Sequence, residues 1–206
     1  MAGHTGGVLV HPRTGERFYF DAGAVSLQFL TSGGEGELAV FESLHEPADL
    51  AAWAARWGLG MDGPRPAAKD FEVSADELAL AKRLRAAIWT AAGCLAHGEQ
   101  LRPDDLTTIN EAAAGSPPIP RIDVSSGARS LVVPIRGAEV VSAFARNAID
   151  IVAGPLAARV RECAASDCRL IFVDTSQPGR RRWCSMQRCG NRDKLRAYRN
   201  RRTQDH

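Results

Sequence analysis

Four of the five cysteines fall within one short segment towards the end of the chain, in two pairs of equal spacing. Cys163 and Cys168 form the first pair and Cys184 and Cys189 the second, with four residues between the members of each pair. Zinc takes four thiolates in a tetrahedron, and a short loop between two cysteines brings both sulfurs to one ion. The pattern therefore predicts a closed, structural tetrathiolate zinc site.

Spacing alone leaves two other uses of these cysteines open, because four-residue gaps are wider than the commonest two-residue ones. The four could be unrelated thiols, or they could form disulfides. Disulfides are disfavoured, since the first residues lack the basic and then apolar pattern of a secretory signal. Cys94 stands apart on a predicted helix and is expected to pack as a small apolar residue.

The residues between the two pairs predict a β-hairpin. Residues 169–174 resemble a strand, 175–179 contain a Gln-Pro-Gly turn, and 180–183 can return as the second strand. Few apolar residues are available to such a module, namely Leu170, Phe172, Trp183 and Leu195. Metal binding is therefore expected to supply part of its folding free energy.

Charge is distributed unevenly along the chain. From Pro155 onward there are thirteen Lys and Arg against five Asp and Glu, whereas the preceding part carries thirteen against nineteen. A basic segment after an acidic body indicates a polyanionic partner, nucleic acid first. The alternative is a solvated basic tail, or a patch that docks on the acidic body.

The basic segment is expected to be helical from Ser185 or Asn191 to Arg202, with arginines on one face. Leu195 and Tyr198 share another side and are expected to dock on the finger or the main domain. Asn191 is expected to cap this helix rather than contact a base, whereas for Arg192 a phosphate contact and a pairing with an acidic group of the body both stay open. Arginine also suits guanine edges in the major groove. The candidate DNA contacts are Arg180, Arg181, Arg182, Arg188, Asn191, Arg192, Lys194, Arg196, Arg199, Arg201 and Arg202.

The first 154 residues predict a mostly helical domain with a small β-hairpin. Apolar spacing predicts helices over 22–31, 47–59, 75–96, 103–114 and 138–152, and Ser74 with Glu77 forms a capping box. Strands over 121–124 and 130–135 form the predicted hairpin, and short β-type runs occur at 8–10 and 18–20. The predicted fold class is α+β, with residues 1–154 as this domain and 155–206 as a treble-clef-like zinc finger held by the four cysteines.

Catalytic signatures are missing from the sequence. There is no phosphate loop, nucleophile elbow, dinucleotide fingerprint or zinc-protease motif, so the chain is predicted not to be an enzyme. No apolar run is long enough to span a bilayer, so we expect no membrane contact and a cytoplasmic, nucleoid-associated location. Core packing is favoured over a ligand pocket for the aromatic residues Phe29, Trp53, Trp57, Trp89 and Phe144.

The run 183–192, with the Cys163 pair before it, resembles the CGNR zinc-finger family of bacterial proteins. The match includes the four letters that name the family, Cys189-Gly190-Asn191-Arg192. In that family the finger follows a domain called ABATE, and the proteins are described as candidate stress-induced transcription regulators. The resemblance implies DNA rather than RNA as the partner.

The N-terminal part resembles ABATE over two short stretches. Residues 44–50, with Trp53, resemble the start of the family's first long helix. Residues 27–32 resemble a stretch that carries Asp and Asn-Thr in the family, where this chain has Gln28 and Thr31-Ser32.

Together these features predict a zinc-dependent, DNA-binding transcription regulator whose helical domain senses a small-molecule effector or a partner. A homodimer would lengthen the DNA site, since one finger covers few base pairs. Two alternatives remain: a protein-interaction adaptor with a structural zinc module, and an enzyme whose site lies in the N-terminal domain.

Overall fold

The computed structural model describes residues 8–10, 17–59, 65–177 and 179–196. The candidate residues Arg199, Arg201 and Arg202, together with Tyr198, lie outside the described residues. The helices are α1 Val25–Phe29, α2 Pro47–Trp57, α3 Ala75–His97, α4 Pro103–Ala114, α5 Gly137–Val152, and α6, a π-helical turn Met186–Gly190 that continues as α-helix over 191–196. The strands are β1 Val8–Val10, β2 Phe18–Phe20, β3 Phe71–Glu72, β4 Pro120–Ile122, β5 Arg129–Leu131, β6 Ile135–Arg136, β7 Val160–Glu162 and β8 Ile171–Val173.

This mixture of helices and short strands confirms the predicted α+β class. Short 3-10 turns occupy Leu30–Ser32, Gly36–Phe41, Ala68–Asp70 and Ala157–Arg159. The Ser74 capping box is present: its hydroxyl accepts from the Glu77 amide at 3.2 Å, and the Glu77 carboxylate accepts from the Ser74 amide at 2.8 Å. Glu77 also accepts from the Ala138 amide at 2.9 Å, which holds the first turn of α5 beside the start of α3.

The main core lies where α3, α4 and α5 pack against one another, with α1 and α2 beside them. An aromatic cluster fills its centre, because Phe29, Trp53 and Phe144 are all buried and their ring centroids lie 4.8 to 5.4 Å apart. These three residues pack in the core, as the sequence favoured. Cys94 is also buried, at 4% exposure.

Every sheet among the described residues has two strands. The predicted hairpin is present as β4 and β5, antiparallel with Pro120 opposite Leu131. The predicted strand over 130–135 is wrong in its second half, because Pro134 has no amide to continue the ladder. The chain instead forms β6, which pairs in parallel with β3, Phe71 opposite Ile135. β1 pairs antiparallel with β2.

The hairpin predicted between the two cysteine pairs is also wrong. β8 pairs antiparallel with β7, which precedes Cys163, and Val160 lies opposite Val173. Residues 180–183 form no strand. All three residues of β8 are buried, so this strand is covered on both sides, by the following loop and by the helical body.

The finger and the helical body share one hydrophobic core. Phe172 is fully buried, and the Val173 amide donates to the Ala22 carbonyl at 2.9 Å. Gly23 permits this approach: its φ is +74°, and a Cβ there would lie 2.9 Å from the Val173 carbonyl oxygen. α3 packs against both β7 and β8. The metal-binding segment is therefore built onto the body.

Candidate metal centre and nucleic-acid interface

The four paired cysteines converge on one point. Their Sγ atoms all lie within 4.8 Å of one another, and all four residues are buried. The Sγ of Cys184 is 3.7 Å from that of Cys168 and 3.5 Å from that of Cys189. A tetrahedron with metal–sulfur bonds of about 2.3 Å has edges of about 3.8 Å, so the donor set fits a four-coordinate metal ion.

The two pairs are positioned by different kinds of local structure. Cys163 directly follows β7 and Cys168 precedes β8, so the first pair occupies the turn of that hairpin. The Cys163 amide donates to the Leu170 carbonyl at 2.9 Å, and the Cys168 amide donates to the Ala165 carbonyl at 3.0 Å. Cys184 precedes α6, and Cys189 lies within its first, π-helical turn. The last ligand therefore belongs to the basic helix.

The thiols cannot all ionise together without a cation. Donation from Cys168 and from the other two thiols holds the pKa of Cys163 far below its usual value. The same contacts with Cys163 raise the pKa values of Cys168 and Cys184 well above theirs, because a second thiolate would face the first. A divalent cation at the centre removes this conflict, since it stabilises all four thiolates at once.

Arginines of α6 are bonded to the metal-binding loop. The Arg192 guanidinium donates to Cys189 Sγ at 3.3 Å and to the Asp167 carboxylate at 3.0 Å. Arg196 donates to the other Asp167 oxygen at 3.2 Å. The acidic partner left open for Arg192 is thus Asp167, which lies between the first two cysteines and not in the acidic body. Sequence reasoning missed Asp167, whose only signal was its place between the paired cysteines.

Arg181 differs from its predicted role in DNA contact, because its side chain points into the protein. The guanidinium donates to the carbonyls of Asp21, Trp183 and Cys184 at 2.6 to 3.1 Å. It also lies 4.0 Å from the centre of the Phe172 ring. This side chain therefore joins the finger to the start of the body.

Asp174 fixes the backbone on either side of the Gln-Pro-Gly turn. Its carboxylate accepts from the Ser176 amide and hydroxyl and from the Arg181 amide. Burial would raise the pKa of Asp174, but these hydrogen bonds outweigh it and hold the pKa below its usual value. An ionised Asp174 thus positions the loop that leads to Cys184.

The remaining candidates divide between two faces of α6. Arg188 stacks on Phe18, with its guanidinium 4.3 Å from the ring centre, and so faces β2. Asn191 has helical dihedral angles and lies inside α6, so the prediction that it caps the helix is wrong. Gln187, Asn191 and Lys194 are all exposed, and their spacing of four and three residues places them on one outward face. Sequence reasoning missed Gln187 on this face.

Two loop arginines lie beside the N-terminal end of α6. Arg180 and Arg182 are exposed, and the Arg182 guanidinium lies 4.8 Å from the Trp183 ring centre. They line a groove of about 530 Å³ together with Tyr19, Trp183, Met186 and Gln187. Leu195 was expected to dock on the finger or the main domain, but it is 49% exposed. The described part of the finger thus offers both cationic and apolar groups to a partner.

Two family models match the chain, and they meet near residue 157. The model of the CGNR zinc finger matches residues 159–202. The ABATE model, described as "Putative stress-induced transcription regulator", matches residues 23–155, more than half of the chain. The chain belongs to the ABATE family. No curated protein matches it.

Membership of the ABATE family confirms the resemblance seen in the sequence and indicates a regulator with a metal-binding finger. In this ABATE protein three of the four letters that name the finger have separate positions: Cys189 supplies a sulfur to the metal site, Asn191 faces solvent, and Arg192 binds Asp167. Among the helices that the structure describes, none combines the length and apolar character that crossing a membrane requires.

Proposed function

We propose that this ABATE protein is a zinc-dependent, DNA-binding transcription regulator without enzymatic activity, acting in the cytoplasm on the nucleoid. One observation carries the proposal: the last sulfur of a buried four-cysteine centre belongs to a helix whose outward face is polar and basic. A metal at that centre would fix the direction of the helix, and loss of the metal would release it.

Zinc is the proposed ion because zinc favours four thiolates in a tetrahedron. Iron, which such a site also suits, is the alternative. All four positions are filled by protein sulfurs, so no ligand position is left for water, and the role is structural. Purified protein should contain one zinc per chain by elemental analysis. A content well below one zinc, or a finger that stays folded after chelation, would contradict this assignment.

The proposed DNA surface consists of Arg180 and Arg182 on the loop with Gln187, Asn191 and Lys194 on α6. The cations would contact phosphates, and the two amide side chains would reach base edges. Arg192 and Arg196 are less suited to this role because Asp167 already binds both. Arg181 is left out because its donors are used inside the protein.

Salt dependence tests the surface in the full-length protein. Three phosphate contacts predict that log K falls with log salt concentration, with a slope of about −2.7 or steeper. The probe is a mixed-sequence DNA duplex, and binding is measured by fluorescence anisotropy. Lys194→Ala and Arg182→Ala should each reduce the slope by about one. Lys69→Ala, an exposed lysine on the helical domain, is the matched control and should leave it unchanged. Equal slopes for all four proteins would refute the DNA surface.

A protein-docking adaptor is the second candidate, favoured by the exposed apolar side chains of Met186 and Leu195 on α6. In that case the slope of log K against log salt concentration would be near zero. Leu195→Ala would then leave the affinity for DNA unchanged. A homodimer is part of the first proposal, since two fingers would read a longer site. Sedimentation of the protein with and without DNA measures that stoichiometry.

We also propose that the helical domain carries the sensing function of the regulator. A cavity beside α3, lined by charged and aromatic side chains, supports this part of the proposal.

A further inference from the structure

A cavity of about 360 Å³ lies in the helical domain, away from the metal centre. One side is a face of α3, formed by residues at positions 82, 85, 86, 89 and 90. The other side is the segment that begins at the Gly33-Gly34 pair and ends at Glu42. Its main lining residues are Gly33, Leu38, Glu42, Lys82, Arg85 and Trp89. This volume falls in the range of small-molecule sites.

An ion pair between buried Arg85 and half-buried Glu42 forms one wall of the cavity. Arg85 is only 6% exposed; it donates to the Glu42 carboxylate at 2.6 Å and to the Ser32 hydroxyl at 3.0 Å. Glu42 also accepts from the Leu44 amide at 3.0 Å. A Cβ at Gly33 would lie 2.4 Å from the Glu42 Cα, and the φ of Gly33 is +130°. The loop can therefore close on Glu42 only with glycine at position 33.

Lys82 carries a positive charge that takes no part in the Arg85–Glu42 ion pair. Its ammonium is close enough to favour the ionised form of Glu42, yet no carboxylate of the described residues lies within ion-pair distance of it. Lys82 is half-buried, so an anionic group bound there would be partly shielded from water. The cation is thus available to a ligand.

The opposite end of the cavity is apolar and aromatic. Leu38 is buried and Trp89 half-buried, and the Trp89 Nε1–H has no acceptor among the described residues. The indole and Leu38 both line the cavity and offer apolar surface to a ring.

We propose that this cavity binds a small aromatic carboxylic acid of one or two rings. The carboxylate pairs with Lys82, and the ring packs against Trp89 and Leu38. A polyphosphate or a dicarboxylate fits less well, because Glu42 and Glu35 lie on the same cavity and would repel a second negative charge. The proposal rests on the sensing part of the proposed function and gives it a ligand class.

Calorimetric titration of the full-length, metal-loaded protein with 2-naphthoate tests this inference. The neutral 2-naphthamide, which has the same rings, should bind about tenfold more weakly or not at all, since it lacks the charge-assisted contact. Lys82→Gln should weaken naphthoate binding by about tenfold, whereas Lys69→Gln, a lysine outside the cavity, should leave it unchanged. Ala86→Phe places a ring in the cavity from an exposed position of α3 and should abolish binding.

Three results would overturn the proposal: no heat of binding with naphthoate, equal affinity for acid and amide, or affinities indifferent to both Lys82→Gln and Ala86→Phe. Circular dichroism of each variant establishes that α3 remains folded. DNA affinity is measured in the same preparations. A protein that binds naphthoate through Lys82 but binds no DNA would contradict the regulator function and leave the cavity assignment intact.

Discussion

Replacing Phe172 with Ala should destabilise the finger and the helical body together. Phe172 is fully buried in β8, the strand whose next residue, Val173, donates to the Ala22 carbonyl of the body. Its ring also stacks under the Arg181 guanidinium, which in turn bonds Asp21. Removal of the ring thus opens a cavity at the place where the two parts meet.

The size of the effect follows from the burial of the ring. Phe→Ala in a core costs about 3–5 kcal/mol, a large share of the roughly 5–15 kcal/mol that stabilises most proteins. For a chain of this length, each kcal/mol lowers the unfolding temperature by about 2–4 °C. The expected decrease is therefore about 6–20 °C. The control Val124→Ala removes a side chain that is 100% exposed and should change stability by less than about 0.5 kcal/mol.

Two signals follow the two parts of the molecule during heating. With Co²⁺ in place of the native ion, thiolate-to-cobalt absorption reports on the four-cysteine centre, and far-ultraviolet circular dichroism reports on helices α3 to α5. One shared core predicts a single transition in both signals, lowered by the same amount in Phe172→Ala. If the absorption is lost at a lower temperature while the helices unfold at the wild-type midpoint, the parts are independent and the shared core is refuted.

Three further changes test separate contacts. Arg181→Ala should lower the unfolding midpoint because three partly buried carbonyls lose their donor, each at about 0.5–1.5 kcal/mol, whereas Arg182→Ala should leave it unchanged; equal midpoints would contradict the inward position of Arg181. Asp167→Asn should speed amide hydrogen exchange over residues 191–196, since this carboxylate holds two arginines of α6, and unaltered exchange would contradict that contact. Burial raises the pKa of Glu42, but the hydrogen bond and charge of Arg85 outweigh it, and the net pKa lies below 4.5. Stability from ionised Glu42 is thus present above pH 4.5 and lost as the pH falls below it, a slope that Glu42→Gln should flatten in urea unfolding.

The helices were predictable because local residues define them. Pro47 and Pro103 occupy first helical positions, and Ser74 caps α3, so their starts coincide with the predicted ones. The ends of α2 and α5 also lie near the predicted positions, since glycines follow them. The metal ligands were predictable for the same reason: cysteine chemistry and short spacing act within a few residues.

Strand partners were not predictable, because they depend on distant residues. β8 could have paired with residues 180–183, which follow it, but it pairs with β7, which the sequence presents only as a lead into Cys163. β3 and β6 each have two residues, and two whole helices, α3 and α4, separate Phe71 from its partner Ile135 along the chain. No local pattern indicates either pairing.

The orientation of α6 was also beyond the sequence. The spacing of Arg192 and Arg196 predicts a common face, and both side chains bind Asp167. Whether that face meets DNA or protein depends on Asp167, which hydrogen bonds of the Cys163 hairpin bring beneath the helix. The solvent-facing side of α6 is the neighbouring face of the helix, which carries Asn191 and Lys194.

The acidic body and the finger are packed against each other in one core, and this constrains how a ligand could act. α3 lines the cavity at Lys82 and ends at His97, whose Nε2 lies 3.0 Å from the Glu162 carboxylate of β7, immediately before Cys163. The helical segment from Lys82 to His97 spans about 22 Å. Because β8 is buried against the body, a hinged swing of the finger would break the core. A ligand that favours one position of α3 would instead shift β7 with it, so regulation would proceed through the relative stability of two packed states.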